Sequence, residues 1–545
     1  MTKEFTDVIN AYDYSLRGTG KLKPEGFVSP NTPLWLGNGD GGIQWYCETD
    51  GWFFVKDTKQ LLRVEMHPEG ATLRVVMIDV PTDFDAPHVI EFGFNVTPVR
   101  PKVFRTVQDP GMWVFQGGPG PWYPQGQEFL PGPDYFGAPS GWRGIHVEPV
   151  PKFWLNNVYV TTAGINTHTT DFANFGDEWL SNEHERPPDV VTVTHASKSY
   201  RDWFVWRHWL SFQRNPHQSL YYDTANEMAS VNPYAGAGYH RRDGTIAVTY
   251  PILGARDICK RLYNMIIPYY AFAWVGAHDS GMCNMAYHGF ANHFWDGENF
   301  NGIINDKQPT YRGIMNPALY RAEYMGHNFG GQVMFLGQAR IRDETVDREG
   351  ADTIVDLLHG LMLLHDTEVS GWQLTAEREK VCERTYNAIK KHWLHQPGAY
   401  RFVPYWHQDF VKLPSQDMYC SGYLLDRENV AKMNEWKFHV ATQTNTNVPK
   451  KAVLIVYNDS DWQGEMRLKP DWKKLGFDNL DNVTVDNAVH STGFRIEKAK
   501  NEKGEEVEKA IFFPKPEEFA KVENGELIFP MTKFNYRFIA ITQPQ

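Results

Sequence analysis

A (β/α)8 barrel of TIM type, set between an N-terminal β-rich domain and a C-terminal antiparallel β-sandwich, is the architecture this chain leads one to expect. Three observations lead there. The 545 residues exceed what one hydrophobic core normally serves, so two or three domains are needed. Between about residues 153 and 370, strand-like apolar runs alternate with helix-like periods, as parallel strands joined by crossover helices require. Short β runs separated by turns dominate before and after that stretch. The divisions fall at 1–91, 92–432 and 433–545.

In the first division, Pro33-Leu-Trp-Leu36 and Ile43-Gln-Trp-Tyr-Cys-Glu48 flank a glycine turn, and Trp52-Phe-Phe-Val55 and Ala71-Thr-Leu-Arg-Val-Val-Met77 follow at short spacing. The turn, Gly37-Asn-Gly-Asp-Gly-Gly42, formally matches G-x-G-x-x-G. A dinucleotide fingerprint needs a helix after its third glycine, and here a Trp/Tyr strand follows. It reads as a hairpin.

The second division opens on His88-Val-Ile-Glu-Phe-Gly-Phe-Asn95, followed by a Gly/Pro/aromatic stretch from Gln116 to Trp142. Disordered segments are poor in aromatics, so an ordered loop over a cleft is expected there. Phe153–Thr162 reads as a strand, Tyr200–Gln213 as an aromatic helix and Leu220–Tyr222 as a strand. Ile252, Ala255, Cys259, Leu262 and Ile266 recur at steps of three and four, one helical stripe. Ala271–Val275 reads as a strand ending in His278-Asp279, Gly331–Leu336 as another, and Leu361–Leu364 as a third ending in His365-Asp366. Seven or eight strands from 90 to 366 suffice for the barrel. Beyond 433 short strands return, among them Ala452–Tyr457, Asn482–Asp486, Gly493–Ile496, Lys509–Phe513, Glu526–Phe529 and Tyr536–Ile541.

Composition narrows the function. Net charge is −12 with no Lys/Arg block, which argues against nucleic acid as a partner, since phosphate binding relies on clustered cations. No run approaches the roughly 20 apolar residues of a membrane span. The start, Met1-Thr-Lys-Glu-Phe-Thr6, lacks the apolar core of a signal peptide. The expectation is a cytoplasmic protein, or an extracellular or periplasmic one if the native amino terminus lies upstream. Five scattered cysteines without C-x-x-C spacing read as buried thiols rather than disulfides or a zinc knuckle. The 19 Trp, 26 Tyr and 33 Phe mostly fill cores, but those beside acids in loops suit stacking on sugar rings.

Two stretches carry the chemistry. Ser219-Leu-Tyr-Tyr-Asp223 ends an apolar run on a carboxylate, and Trp295-Asp-Gly-Glu298 ends an aromatic run on two acids. A parallel barrel keeps its chemistry at the carboxyl ends of its strands. Two carboxyl groups across one cleft suit glycosidic bond cleavage, one protonating the leaving oxygen and the other attacking or stabilising the anomeric centre. A carboxyl beside tryptophan in a dry cleft is held protonated, which fits Glu298 as general acid. Asp223, after two tyrosines, is the expected nucleophile or stabiliser, with Asp366 and Glu178 as further candidates. Trp179, Tyr222, Trp274, His278, Trp295 and Asp296 are expected to line the sugar subsites. Separation of the two carboxyls by about 5–5.5 Å would mean retention and about 6.5–9.5 Å inversion.

No cofactor and no metal are expected. His278, Asp279, His288 and His293 lie close in sequence, but H-E-x-x-H is absent and residues five apart share no helical face. Neither a G-x-S-x-G elbow nor a P-loop is present.

Phe92-Gly-Phe-Asn-Val-Thr-Pro-Val-Arg-Pro101, Leu220-Tyr-Tyr-Asp223, Ile252-Leu-Gly-Ala-Arg-Asp-Ile-Cys-Lys-Arg-Leu-Tyr263 and Asp296-Gly-Glu298 resemble the barrel of large bacterial glycoside-hydrolase-like proteins distantly similar to glycoside hydrolase family 123, the β-N-acetylgalactosaminidases. Pro33-Leu-Trp-Leu-Gly-Asn38 resembles the end of the β-domain that precedes that barrel. The resemblance implies a β-domain, a catalytic barrel and a β-sandwich cap in that order. It also implies chemistry by an adjacent Asp-Glu pair with help from the substrate's acetamido group. The adjacent pair here is Asp177-Glu178, whereas Gly297 splits Asp296 from Glu298. The expected function is a glycoside hydrolase acting on a polysaccharide or oligosaccharide. The rivals are a non-catalytic carbohydrate-binding protein on the same scaffold and a polysaccharide lyase with a Tyr222/His278 base.

Overall fold

The computed structural model describes residues 8–11, 20–29, 33–49, 51, 53–68, 70–101, 114–117, 156–167, 169–182, 190–214, 219–223, 228–241, 244–269, 274–279, 283–297, 315–324, 329–335, 358–367, 385, 388–389, 391–392, 394, 398–435, 448–489, 494–500, 506–512 and 519–544. They belong to two compact units. One holds Met1–Val103, Gly111–Asp296 and Arg321–Val333, and the other Phe104–Pro110, Gly297–Tyr320 and Met334–Gln545.

The first unit begins with strands β1 (Val8–Ala11), β2 (Gly20–Lys21), β3 (Phe27–Ser29), β4 (Leu34–Gly37), β5 (Gly42–Tyr46), β6 (Leu62–His67), β7 (Gly70–Val75) and β8 (Gly93–Thr97). They form a five-stranded sheet ordered β2-β1-β4-β5-β8 and a three-stranded sheet ordered β3-β6-β7, around a core of Leu34, Leu36, Trp45, Leu62 and Val64. The glycine-rich turn is the β4–β5 hairpin, with Gly37 opposite Gly42. Its glycines serve packing rather than phosphate: a Cβ on either Gly37 or Gly42 would come within 2.5 Å of the Trp35 indole. That indole donates from Nε1 to Thr97 Oγ1 at 2.9 Å, tying the hairpin to β8.

The same unit continues with β9 (Val114–Gly117), β10 (Asn156–Thr161), β11 (Gly164–Asn166), α1 (Thr170–Trp179), β12 (Val190–Thr192), α2 (Lys198–Arg214), β13 (Ser219–Asp223), β14 (Tyr239–His240), β15 (Ile246–Ala247), α3 (Ile252–Ile266), β16 (Trp274–Asp279), α4 (Met285–His288) and β17 (His293–Asp296), while β18 (Gln332–Phe335) begins in this unit and ends in the other. β9, β10, β13, β16, β17 and β18 make one sheet in sequence order. The four described pairings from β9 to β17 are all parallel. Each new strand joins on the same side of the last. A doubly wound sheet reverses direction at a switch point, and none occurs among the described strands. This is the winding sense of a barrel wall. The predicted stripe on α3 is the buried one: Ile252, Ala255, Ile258, Cys259, Leu262 and Ile266 are all inside.

The second unit is mainly antiparallel. β19 (Tyr400–Val403), β20 (Met418–Leu425), β21 (Lys450–Asn458), β28 (Asn535–Gln543) and β23 (Thr484–Val489) lie side by side in that order, and β22 (Gly464–Leu468), β27 (Glu526–Met531) and β26 (Lys521–Glu523) form a second sheet. Leu454, Val456, Ile539 and Ile541 share one core with Met466, Leu468, Leu527 and Phe529. β24 (Phe494–Lys500) and β25 (Glu506–Phe512) pair as a charged ribbon, Glu497 opposite Lys509 and Lys498 opposite Glu508. Two strands of the larger sheet, β19 and β20, come from before residue 433.

One expected strand is a correction. Residues 358–364 are helical, and the helix runs through Leu361–Leu364. Four apolar residues in a row do not distinguish a buried helix from a buried strand. Leu361, Met362, Leu363 and Leu364 are each 3% exposed or less, so the helix is apolar on every side there.

Candidate functional site

Pleating sends successive side chains of a strand to opposite faces, and parallel register aligns those faces between strands. In β13, β16 and β17 the register sets Tyr221 opposite Gly276, Tyr222 opposite Ala277, His278 opposite Trp295 and Asp279 opposite Asp296. One face therefore carries Tyr221, His278, His293 and Trp295. The other carries Tyr222, Asp279, Phe294 and Asp296.

On the first face the Tyr221 hydroxyl and His278 Nδ1 are 2.8 Å apart, a hydrogen bond between neighbouring strands. The Trp295 indole meets the Tyr221 ring edge to face at 5.2 Å and the His293 ring at 5.3 Å. Gly276 makes room for it, since a Cβ there would stand 3.3 Å from Trp295 Nε1. Trp295 itself is only 1% exposed, whereas His278 is half-buried.

The second face looks onto α3 and α4. Tyr222 is buried beside Cys259 of α3, and burial lifts its phenol well above the usual range. The Tyr222 hydroxyl has no hydrogen-bond partner among the described residues. Asp279 and Asp296 end their strands 1% and 2% exposed. Asp279 Oδ2 lies 3.7 Å from Nδ1 of His288 on α4, and Asp279, Cys283 and His288 form one buried group of possible metal ligands. Burial pushes the Cys283 thiol well up, and the Asp279 and Asp296 carboxylates push it further.

The other expected residues are spread out. Asp223 ends β13, opposite Thr161 of β10, with only its backbone described. Trp274 opens β16 on the same terms. Glu298 follows Gly297, the last described residue after β17, and lies outside the described residues. Glu178 sits half-buried in the last turn of α1, where the helix dipole disfavours an acid. Trp179 ends that helix 1% exposed, donating from Nε1 to Ser199 Oγ at 2.8 Å and packed between Phe175, Tyr200 and Trp203, which leaves no open ring face for a sugar. Asp366 belongs to the second unit, in the turn after helix 358–364, with φ at 54°. It therefore ends a helix and not a barrel strand. Sequence reading missed Tyr221 and Cys283. Strand alternation, applied to Tyr221-Tyr222 with His278, contained the signal for the first.

No protein-family model matches the chain, and no curated protein does. Solved structures give faint likenesses. A noncanonic maltogenic alpha-amylase from Thermotoga neapolitana is 9% identical, over 72% of this chain and 78% of that one, at TM-score 0.37. The alpha-amylase of Geobacillus thermoleovorans, complexed with acarbose, is 6% identical over 72% and 77%, at 0.38. A GH36 alpha-galactosidase from Geobacillus stearothermophilus is 8% identical over 72% and 45%, at 0.35. Likeness at this level assigns neither family nor activity, so the functional reading rests on this chain's own residues.

Proposed function

We propose that the protein is a glycoside hydrolase that cleaves a polysaccharide or oligosaccharide with two carboxyl groups. In this reading the parallel sheet closes as a (β/α)8 barrel, Glu298 is the general acid/base and Asp223 the nucleophile or stabiliser. His278 and Tyr221 then hold sugar hydroxyls. One observation carries the reading: consecutive parallel strands, wound in one direction, end on Asp223, on His278-Asp279 and on Asp296, two residues before Glu298. Acids gathered at that end of such a sheet are where barrel enzymes keep their chemistry. The resemblance of those stretches to glycoside-hydrolase-like barrel proteins adds support, and it leaves the sugar open.

The test is turnover of a broad panel of aryl glycosides and glycans by the intact protein, Glu298→Gln and Asp223→Asn. Each substitution should lower kcat at least about 100-fold, as loss of a catalytic acid or base does, while sugar binding persists. Full activity in both variants would overturn the assignment. Sugar binding with no turnover on any substrate would favour a carbohydrate-binding protein instead.

The Tyr221–His278 hydrogen bond favours one second reading, a polysaccharide lyase. A phenol and an imidazole 2.8 Å apart are a ready proton-transfer pair for abstraction next to a carboxylate. An unsaturated product absorbing in the ultraviolet, lost in Tyr221→Phe, would select it.

A further inference from the structure

We propose that Asp279, Cys283 and His288 bind a divalent transition-metal ion of the zinc type, which pins Cys283–His288 to the end of β16. The site goes beyond the hydrolase reading, since it lies on the face of the strands turned toward the helices.

The geometry comes first. One ligand atom from each of the three residues lies within 4.8 Å of the other two, and all three residues are buried. The Asp279 Oδ2 to His288 Nδ1 distance is 3.7 Å, close to the roughly 3.4 Å edge of a tetrahedron with bonds of about 2.1 Å. Nδ1 accepts the Asn284 N–H at 3.0 Å, so the ring carries its proton on Nε2, and a metal on Nδ1 would take that lone pair in place of the Asn284 hydrogen bond. Cys283 Sγ lies 3.5 Å from Met285 Sδ and is also a hydrogen-bond partner of the Asp279 carboxylate, so two of the three candidate ligands already touch. Carboxylate, imidazole and thiolate together are a zinc donor set, and magnesium or calcium would choose oxygen throughout.

Two further observations support it. Asp296 stands in register beside Asp279, and both are almost wholly buried. A divalent ion beside them would offset the cost of either buried carboxylate charge. The ligand loop is also held from behind. Gln44 of β5, 0% exposed, donates from Nε2 to Cys283 O at 2.8 Å and accepts the Met285 N–H at Oε1 at 2.7 Å. Arg256 donates to Ala286 O at 2.7 Å. Such outer support is what fixes metal ligands before the ion arrives. On binding, the thiol loses its proton to solvent as the metal–sulfur bond forms, with no change of oxidation state.

The test uses the whole chain, stripped with chelator and titrated with Co²⁺ and Zn²⁺. One Co²⁺ per chain should bind with a near-ultraviolet thiolate-to-metal band and visible bands of tetrahedral intensity, and Zn²⁺ should displace it and raise Tm. Cys283→Ser should abolish the thiolate band and weaken Co²⁺ binding at least 10-fold. X-ray absorption on the Zn²⁺ form of the unaltered protein decides the matter even if that variant fails to fold. One sulfur at about 2.3 Å with nitrogen or oxygen at about 2.0–2.1 Å is the expected shell. No stoichiometric binding, a shell without sulfur or with two or more, or a thiolate band that survives Cys283→Ser would each overturn the site. All these readouts are independent of glycan turnover.

Discussion

Adjacent residues in three neighbouring strands meet opposite surroundings. Tyr221, His278 and Trp295 form a layer of rings joined by a hydrogen bond and edge contacts. Tyr222, Asp279 and Asp296, each the next residue along, face α3, α4 and the cysteines. The pleat turns the dipeptides Tyr-Tyr, His-Asp and Trp-Asp into two chemistries a strand's thickness apart. The difference teaches that closeness in sequence to an acid says little about sharing its cleft. Parity along the strand decides.

The largest test of this contrast concerns the rings. Trp295 is 1% exposed and Phe294, on the opposite face, 2%. If both layers are packed, Trp295→Ala and Phe294→Ala should each cost about 3–5 kcal/mol in urea unfolding. Were Trp295 the open wall of a cleft, its substitution would cost under about 1 kcal/mol while Phe294→Ala kept its full effect.

A second test sets a dry imidazole against the half-buried one of His278. His195 is 1% exposed, and its Nε2 donates to Thr162 O at 2.8 Å. Burial pulls its pKa from 6.5 down to about 4, with Arg201 adding to the fall and the Thr162 carbonyl opposing it. The folded state thus refuses a proton that the unfolded chain accepts below pH 6.5. Its contribution is complete above that pH and is lost as pH falls through the window to about 4, roughly 3 kcal/mol in all and about 2 by pH 5. Unfolding free energies at pH 7.5 and 5 should show the drop, and His195→Gln should flatten that part of the slope. An unchanged slope in the variant would mean His195 is not held neutral.

Much of this was legible in the chain. The α3 stripe needed only its period, because one wet side and one dry side make a helix obvious. The β4–β5 hairpin followed from what comes after its glycines. Leu361–Leu364 was not legible, because a helix buried all round shows no period. The carboxylates Asp223 and Glu298 were singled out by position at strand ends, yet their mutual geometry depends on side chains outside the described ones. Cys283 gave no signal either. Asp279, Cys283 and His288 are spaced four and five apart, and no helical or strand period puts that spacing into one cluster.

The smallest effect is the sharpest probe of parity, since it compares two phenols one residue apart. Tyr221 shares its hydroxyl with His278, and Tyr222 buries one with no partner among the described residues. Removing a hydroxyl that makes a hydrogen bond costs about 1 kcal/mol, whereas removing a buried one without a partner relieves a desolvation penalty of similar size. Tyr221→Phe should therefore lower the unfolding free energy by about 1 kcal/mol, and Tyr222→Phe should leave it level or raise it by up to about 1. The two variants differ by a single position and the same lost atom, so a common sign in both would mean that the strand does not part its neighbours as the register requires.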